Sequence, residues 1–236
     1  MHMLKSGIPG LDDVLKGGIR AKSSILITGA PGTGKTIMAL QFILEGAKNN
    51  EPGLFISAEQ TVEEIRNYAE ELGLDLNAYE EKGLITFVQQ EISSKKLVSI
   101  ATPLDIIKQK KIQRVALDSI TMFEYTHVAG MMDYRKEVLD FIARMKEAGI
   151  TLLVTAEKAI TDIDVLEYSP QDFLFDGLII LFKVRKTASY ERCLTIAKMR
   201  GQQHSIDIFP FVIEDGVKVL PSQLPFSLVE KDIRKK

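Results

Sequence analysis

Apolar residues fall along the chain in short runs of strand length, separated by longer stretches in which they recur at helical spacing. Residues 24–28 read Ser-Ile-Leu-Ile-Thr and predict a buried strand, and residues 37–47 that follow carry the three- and four-residue apolar intervals of a helix. The alternation repeats at 54–57 then 62–72, 84–88 then 103–108, 115–117 then 134–146, and it continues at 150–155. Within 134–146, Val138, Leu139, Ile142 and Met145 mark the face expected to be buried. Such alternation predicts a parallel sheet covered on both faces, because each parallel crossover is made by a helix that packs back on the sheet. From residue 178 the runs at 178–184, 193–199, 209–213 and 217–220 have no long helix between them, which predicts an antiparallel extension of the same sheet. The expected fold is α/β, a mostly parallel twisted sheet flanked by helices, with antiparallel C-terminal strands.

Composition narrows the setting. At 236 residues with 45% apolar and 26% charged content, the chain can bury a sizeable core. It shows no Pro/Gly/Ser-rich linker, so one domain over residues 1–236 is expected, with an N-terminal segment 1–22, a core 23–221 and a short tail 222–236. Cys193 is the only cysteine and cannot form an internal bridge, which fits a reducing compartment. No apolar run approaches the ~18 residues of a membrane span, and the first residues show no charged-then-apolar leader, so a cytoplasmic location is expected. A net charge of −2 gives no global attraction to nucleic acid or acidic lipid. With His2, His127 and His204 scattered, no zinc site is expected.

The sharpest motif lies at 29–36, where Gly29, Ala30, Pro31, Gly32, Thr33, Gly34, Lys35 and Thr36 fit GxxxxGK(S/T) between a predicted strand and a helix opening at Ile37. The glycines permit backbone turns that a β-carbon forbids, so that N–H groups converge on phosphates at a helix N-terminus. Lys35 would reach the β and γ phosphates, and the Thr36 hydroxyl would hold Mg²⁺. A carboxylate for that metal is expected at the end of a nearby strand. Asp118 closes the apolar run 115–117, where chemistry alone leaves a helix N-cap as the other reading. The strand after the first helix ends at Glu59, placed to orient or deprotonate a water facing the γ phosphate from the adjacent strand. A solvated acid before the helix near Thr61 is the other reading of Glu59.

Further segments carry a family resemblance. SGIPGLDDVLKGGI at 6–19, a strand and then GAPGTGKT resemble the opening of the RecA superfamily of phosphate-loop ATPases. KMRGQQH at 198–204 and FPFVIEDGVKVLP at 209–221 narrow the resemblance to a single KaiC-like domain, covering about residues 4–221. Replicative ring helicases generally carry an extra residue between the basic pair and the glycine. The resemblance implies a RecA-like core that binds ATP/ADP with Mg²⁺, assembled as a homo-oligomeric ring, expected to be hexameric, with nucleotide sites between subunits. It makes Glu59 the catalytic glutamate, Asp118 the magnesium-associated aspartate, and Lys198 and Arg200 the basic pair that one subunit extends into its neighbour's site. Their i, i+2 spacing on a strand points both to one face. His204 matches a position that contacts nucleotide across the interface. Gln60 stands where many KaiC domains carry a second glutamate, and an amide cannot tune Glu59 by like-charge repulsion, so the family's hydrolytic rate does not carry over. Asp172 and Phe173 occupy the positions where the phosphorylating half of the clock protein has Ser and Thr acceptors, a few residues before the aspartate matching Asp176, so autokinase activity is not expected.

Three functions follow as expectations: a regulatory or signalling KaiC-like ATPase with a protein partner not yet known, a DNA-stimulated recombinase or helicase relative, and a slow-turnover nucleotide-dependent scaffold. Residues 157–176, where DNA-handling relatives place a loop lining the ring, hold Glu157, Asp162, Asp164, Glu167, Asp172 and Asp176 against Lys158, a balance of −5. So acidic a loop repels phosphates, which disfavours DNA. Residues 183–200 carry Lys183, Arg185, Lys186, Arg192, Lys198 and Arg200 against Glu191, a balance of +5. The two segments either complement each other across a subunit interface or form solvated faces. Tyr125, Tyr134, Tyr168, Phe173 and Phe175 offer rings for base stacking, but no basic residues interleave around Phe173 and Phe175.

Overall fold

The computed structural model describes residues 2–90, 101–120, 134–158, 168–186 and 188–226. The first apolar run forms β3 (Ser24–Gly29), buried along its length, and it lies inside a sheet whose spatial order is β11-β10-β9-β8-β3-β7-β6-β4-β5. The other parallel members are β4 (Gly53–Ser57), β5 (Ile85–Gln89), β6 (Arg114–Asp118), β7 (Thr151–Glu157) and β8 (Gly177–Lys186). β9 (Ser189–Met199), β10 (Ile208–Glu214) and β11 (Gly216–Val219) add the expected antiparallel extension. A separate antiparallel ribbon pairs β1 (Met3–Leu4) with β2 (Ile19–Arg20).

Helices cover both faces of the sheet. α1 (Leu11–Val14), α2 (Lys35–Lys48) and α3 (Val62–Glu71) pack with Phe42, Ile43, Phe55 and Ile65 in one apolar core. α5 (Ala101–Lys110) and α6 (Tyr134–Glu147) pack on the other face around Ile107, Phe141 and Met145, and the short α4 (Asn77–Glu81) leads into β5. Each fully buried Phe or Ile contributes roughly 1.5–3 kcal/mol, so the two layers hold the strand ends in fixed register. The buried stripe of α6 is Val138, Phe141, Ile142 and Met145, whereas Leu139, expected on that stripe, is 43% exposed. Its position is one residue, about 100°, round the helix from Val138. No described helix is long and apolar enough to cross a membrane.

One expectation about strand neighbours fails. β4 does not lie beside the phosphate-loop strand, since β7 and β6 stand between β3 and β4. The order arises because α2 crosses over β7, β6 and β4 before the chain returns to the sheet. Glu59 therefore reaches the centre past the strand that carries Asp118. The loops that carry residues 29–36, Glu59 and the Asp118–Ser119 end still leave the sheet at the C-terminal ends of parallel strands, where open α/β sheets bind ligands.

Candidate functional site

The turn from β3 into α2 is built by conformation before it is built by side chains. Gly32 has φ +70° and Gly34 has φ +104°, both in the region open to glycine and strained for other residues. At Gly29 a β-carbon would lie 2.5 Å from the Leu181 carbonyl oxygen, so only glycine lets the loop leave β3 so close to β8. Thr33 Oγ1 donates to the Ala30 carbonyl at 2.8 Å and braces the turn. Pro31, Gly32 and Gly34 of the turn and the first residues of α2, its positive end, line the cavity, and a helix N-terminus placed so can receive an anion. Lys35, only 8% exposed, folds its ammonium onto the loop, donating to the carbonyls of Gly29 at 2.9 Å and Ala30 at 3.1 Å. Burial holds that ammonium below the usual lysine range, opposed by the carboxylates of Glu157, Asp118 and Glu59. Pro31 and Ile37 flank the turn, Pro31 at the cavity wall and Ile37 buried beneath it.

Three strand ends bring carboxylates to the same cavity, which has a volume of about 300 Å³. Asp118 ends β6, and its Oδ2 accepts from Thr36 Oγ1 at 2.8 Å while Oδ1 accepts from Thr155 on β7. Burial pushes the Asp118 carboxyl above the usual range, against the pull of those two hydrogen bonds, with Glu59 nearby adding to the rise and Lys35 opposing it. The Thr36 hydroxyl and the Asp118 carboxylate are hard oxygen donors of the kind that hold Mg²⁺, and a cation there would relieve the desolvated charge. Glu59 sits on a turn after β4 in which Ser57 Oγ donates to the Gln60 carbonyl at 2.6 Å and accepts from the Gln60 N–H at 3.1 Å. Ser119 Oγ donates to Glu59 Oε1 at 2.7 Å, so the residue after Asp118 orients the acid from the next strand. Among the described residues no cluster of three His, Cys, Asp or Glu side chains is placed to hold a metal by itself.

Four contributors were not singled out as site residues from the sequence. Thr155 and Ser119 orient the two acids, Glu157 lines the cavity at the end of β7, and Tyr68 lines it from α3. Thr61 caps that helix, accepting from the Glu64 N–H while Glu64 reaches back to the Thr61 N–H, and so fixes where Tyr68 falls. Lys183 is a further cation beside the loop, for a β-carbon on Gly32 would lie 3.7 Å from its Nζ.

Lys198, Arg200 and His204 are not at this cavity. Lys198 pairs with Leu178, which pairs with Leu26, whereas the loop begins level with Leu181. The separation is roughly 10 Å along the sheet and roughly 10 Å across two strands. β9 ends at Met199, so Arg200 lies one residue beyond the strand, yet both side chains reach one short 3₁₀ turn, Pro170–Phe173. Lys198 Nζ donates to the Asp172 carbonyl and Arg200 to the Phe173 carbonyl, each at 3.1 Å. Burial and the neighbouring Arg200 hold the Lys198 ammonium below its usual range, opposed by Asp176 and Asp172. Arg200 Nη1 also stands 4.0 Å from Asp176 Oδ1 and is largely exposed. Part of the opposite charge of the two segments is thus matched inside the chain. His204 is half-buried with Nδ1 3.0 Å from the Ser205 carbonyl oxygen. Tyr125, His127, Asp162, Asp164, Glu167 and the tail from 227 lie outside the described residues, as does the side chain of Tyr134.

Comparison with known proteins agrees with this geometry. The family model described as "ATPase: KaiC" matches residues 4–223. The chain is 32% identical over 231 residues to the circadian clock oscillator protein KaiC of Prochlorococcus marinus subsp. pastoris, covering 93% of this chain and 45% of that protein. It is 30% identical over 230 residues to the KaiC of Parathermosynechococcus lividus, covering 92% and 42%. The circadian clock protein KaiC3 of Synechocystis matches at 28% over 247 residues, covering 99% and 49%. The chain therefore spans less than half the length of these curated relatives. With a phosphate loop at 29–36 and a sheet of this order, the chain belongs to the KaiC family of ATPases within the RecA superfamily.

Proposed function

We propose that residues 1–236 form one ATPase domain that binds ATP in the loop 29–36 and hydrolyses it to ADP and phosphate, working as a homo-oligomeric, hexameric ring in a regulatory or signalling role. The observation that carries the reading is the convergence of Lys35, Thr36, Asp118, Glu59 and Ser119 on one cavity at the C-terminal ends of β3, β4 and β6. Backbone N–H groups of 29–34 and the α2 N-terminus cradle the phosphates, and Lys35 leaves its two carbonyl acceptors to meet them. Thr36 and Asp118 would hold Mg²⁺, which neutralises phosphate charge and fixes the geometry of the chain's substrate. Glu59, oriented by Ser119, accepts the proton of the attacking water. Gln60, also at the cavity, adds no negative charge beside Glu59.

Lys198 and Arg200 are too far from their own loop to touch its nucleotide, and their place at the sheet's other end supports action on a neighbour's. A cation placed this way can contribute about 10³–10⁵ in rate, so turnover would depend on assembly. His204 follows the pair four residues after Arg200 and, as in the family resemblance, would contact that nucleotide. Relatives named as circadian clock proteins support a regulatory role with a protein partner. Asp172 and Phe173 offer no hydroxyl, so no autophosphorylation is expected there. Steady-state hydrolysis tests the reading, with Lys35→Ala as blank. Mg²⁺-dependent turnover indifferent to single-stranded DNA and absent from Lys35→Ala supports it, whereas turnover retained in Lys35→Ala or stimulated by DNA contradicts it.

A further inference from the structure

Lys198 and Arg200 are long side chains, and each loses rotamer freedom on being fixed, a cost that its contacts must offset. What holds both is the single 3₁₀ turn Pro170–Phe173, through the carbonyls of Asp172 and Phe173. That turn is itself anchored through a buried charge. Asp172 is 1% exposed, and its Oδ2 accepts from the Ser169 N–H at 2.8 Å and from Lys158 Nζ at 2.8 Å. Burying a carboxylate so deeply is costly unless it is paired, and its partner, the Lys158 side chain, is itself only 14% exposed. Among the described residues Oδ1 of the same carboxylate has no hydrogen-bond partner, so the contacts to Oδ2 are the ones that offset its burial.

The other end of Lys158 is tied to the phosphate loop. Its N–H donates to the Gly29 carbonyl at 3.1 Å, the oxygen that also accepts from Lys35 Nζ at 2.9 Å. It follows directly after Glu157, which lines the cavity. One residue thus bonds the start of the loop through its backbone and the basic pair's turn through its side chain.

We infer that the Lys158–Asp172 ion pair is a positioning device that fixes the 170–173 turn against the phosphate loop, so that Lys198 and Arg200 are presented together to the neighbouring subunit's nucleotide. The inference rests on the proposed action of that pair in trans. Neither Lys158 nor Asp172 touches substrate; both act through the side chains that the turn holds. Shortening or unpairing the clamp frees Lys198 and Arg200 to wander without altering the pocket that receives ATP.

The test is a double-mutant cycle on the full chain, reading ADP affinity and kcat for ATP. Lys158→Met keeps the apolar stem and removes the charge; it should leave ADP affinity within about twofold and lower kcat about tenfold. Lys158→Arg should restore most of the rate. In a Lys198→Ala/Arg200→Ala background, adding Lys158→Met should slow turnover no further, because the clamp then has no basic side chain left to position. Unchanged kcat in Lys158→Met, a loss of ADP affinity with kcat kept, or a further loss when Lys158→Met is added to the Lys198→Ala/Arg200→Ala background would each overturn the inference. If Arg200→Ala alone keeps full turnover, the trans reading itself falls, a result separate from failure of the clamp. Should Lys158→Met not fold, Asp172→Asn, which keeps the shape and the acceptor for Ser169, carries the same cycle with the same criteria.

Discussion

Ser119→Ala removes one hydroxyl and should slow catalysis without weakening nucleotide binding. The Ser119 side chain is buried at the root of the cavity and donates to Glu59 Oε1 at 2.7 Å, while Glu59 itself projects into solvent from its turn. A hydrogen bond to a charged group is worth about 1.5–3 kcal/mol, and with the acceptor open to water the low end applies, about 1.5 kcal/mol. If that energy serves to hold Glu59 at the water it deprotonates, its loss appears in the barrier, and about 1.4 kcal/mol is tenfold in rate. Phosphate release from saturating Mg-ATP should therefore fall about tenfold, with KM within about twofold. In a Glu59→Gln background, already slowed by the loss of its base, the same substitution should change little. A kcat within twofold of wild type, or an equal fold-loss in the Glu59→Gln background, would refute the coupling of Ser119 to Glu59.

Two further substitutions probe the charges that the fold buries. Burial raises the Asp118 carboxyl, so folding favours its protonated form; its contribution to stability is fully present below the ordinary carboxylate range and is lost as pH rises through the raised value. Asp118→Asn should flatten that loss, raising the melting temperature of the ligand-free protein at pH 7 while weakening the Mg²⁺ dependence of ATP binding; a lower melting temperature with Mg²⁺ dependence intact would contradict it. Arg114, 1% exposed at the start of β6, pairs with Glu51 at 2.6 Å and donates to the carbonyls of Lys5 and Phe42. Arg114→Met should destabilise by about 2–4 kcal/mol in urea unfolding, because Glu51 keeps some access to water while the carbonyls lose a donor. A loss under about 1 kcal/mol would show that the bond network adds little.

The parts of the fold legible in the sequence are those fixed by local pattern. The run ending at Gly29, the glycines at 32 and 34 and the helix from Lys35 predict one another, and Asp118 and Glu59 could be read as strand-end acids from the apolar runs before them. What local pattern does not carry is strand order. Nothing near Glu59 says that two strands separate it from the phosphate loop, so Ser119 and Thr155, whose roles exist only across that order, were not legible as site residues. Glu157 reads in sequence as one acid among six, yet its register beside Gly29 brings it to Lys35. The pair Lys198 and Arg200 reads as one face of a strand, and the structure keeps them together although the strand ends between them, because the carbonyls of a short turn hold both.

Catalysis shared between subunits is the central claim, and mixing two inactive variants tests it most directly. Glu59→Gln would lack the proposed base in its own site, and Arg200→Ala the cation that it would lend to its neighbour. In an equal mixture assembled at random around a ring, about a quarter of interfaces join an intact Glu59 to an intact Arg200, so hydrolysis should return toward about a quarter of the wild-type rate. A mixture no more active than the average of its two components, under conditions where the subunits exchange, would show that each chain hydrolyses ATP with its own residues alone.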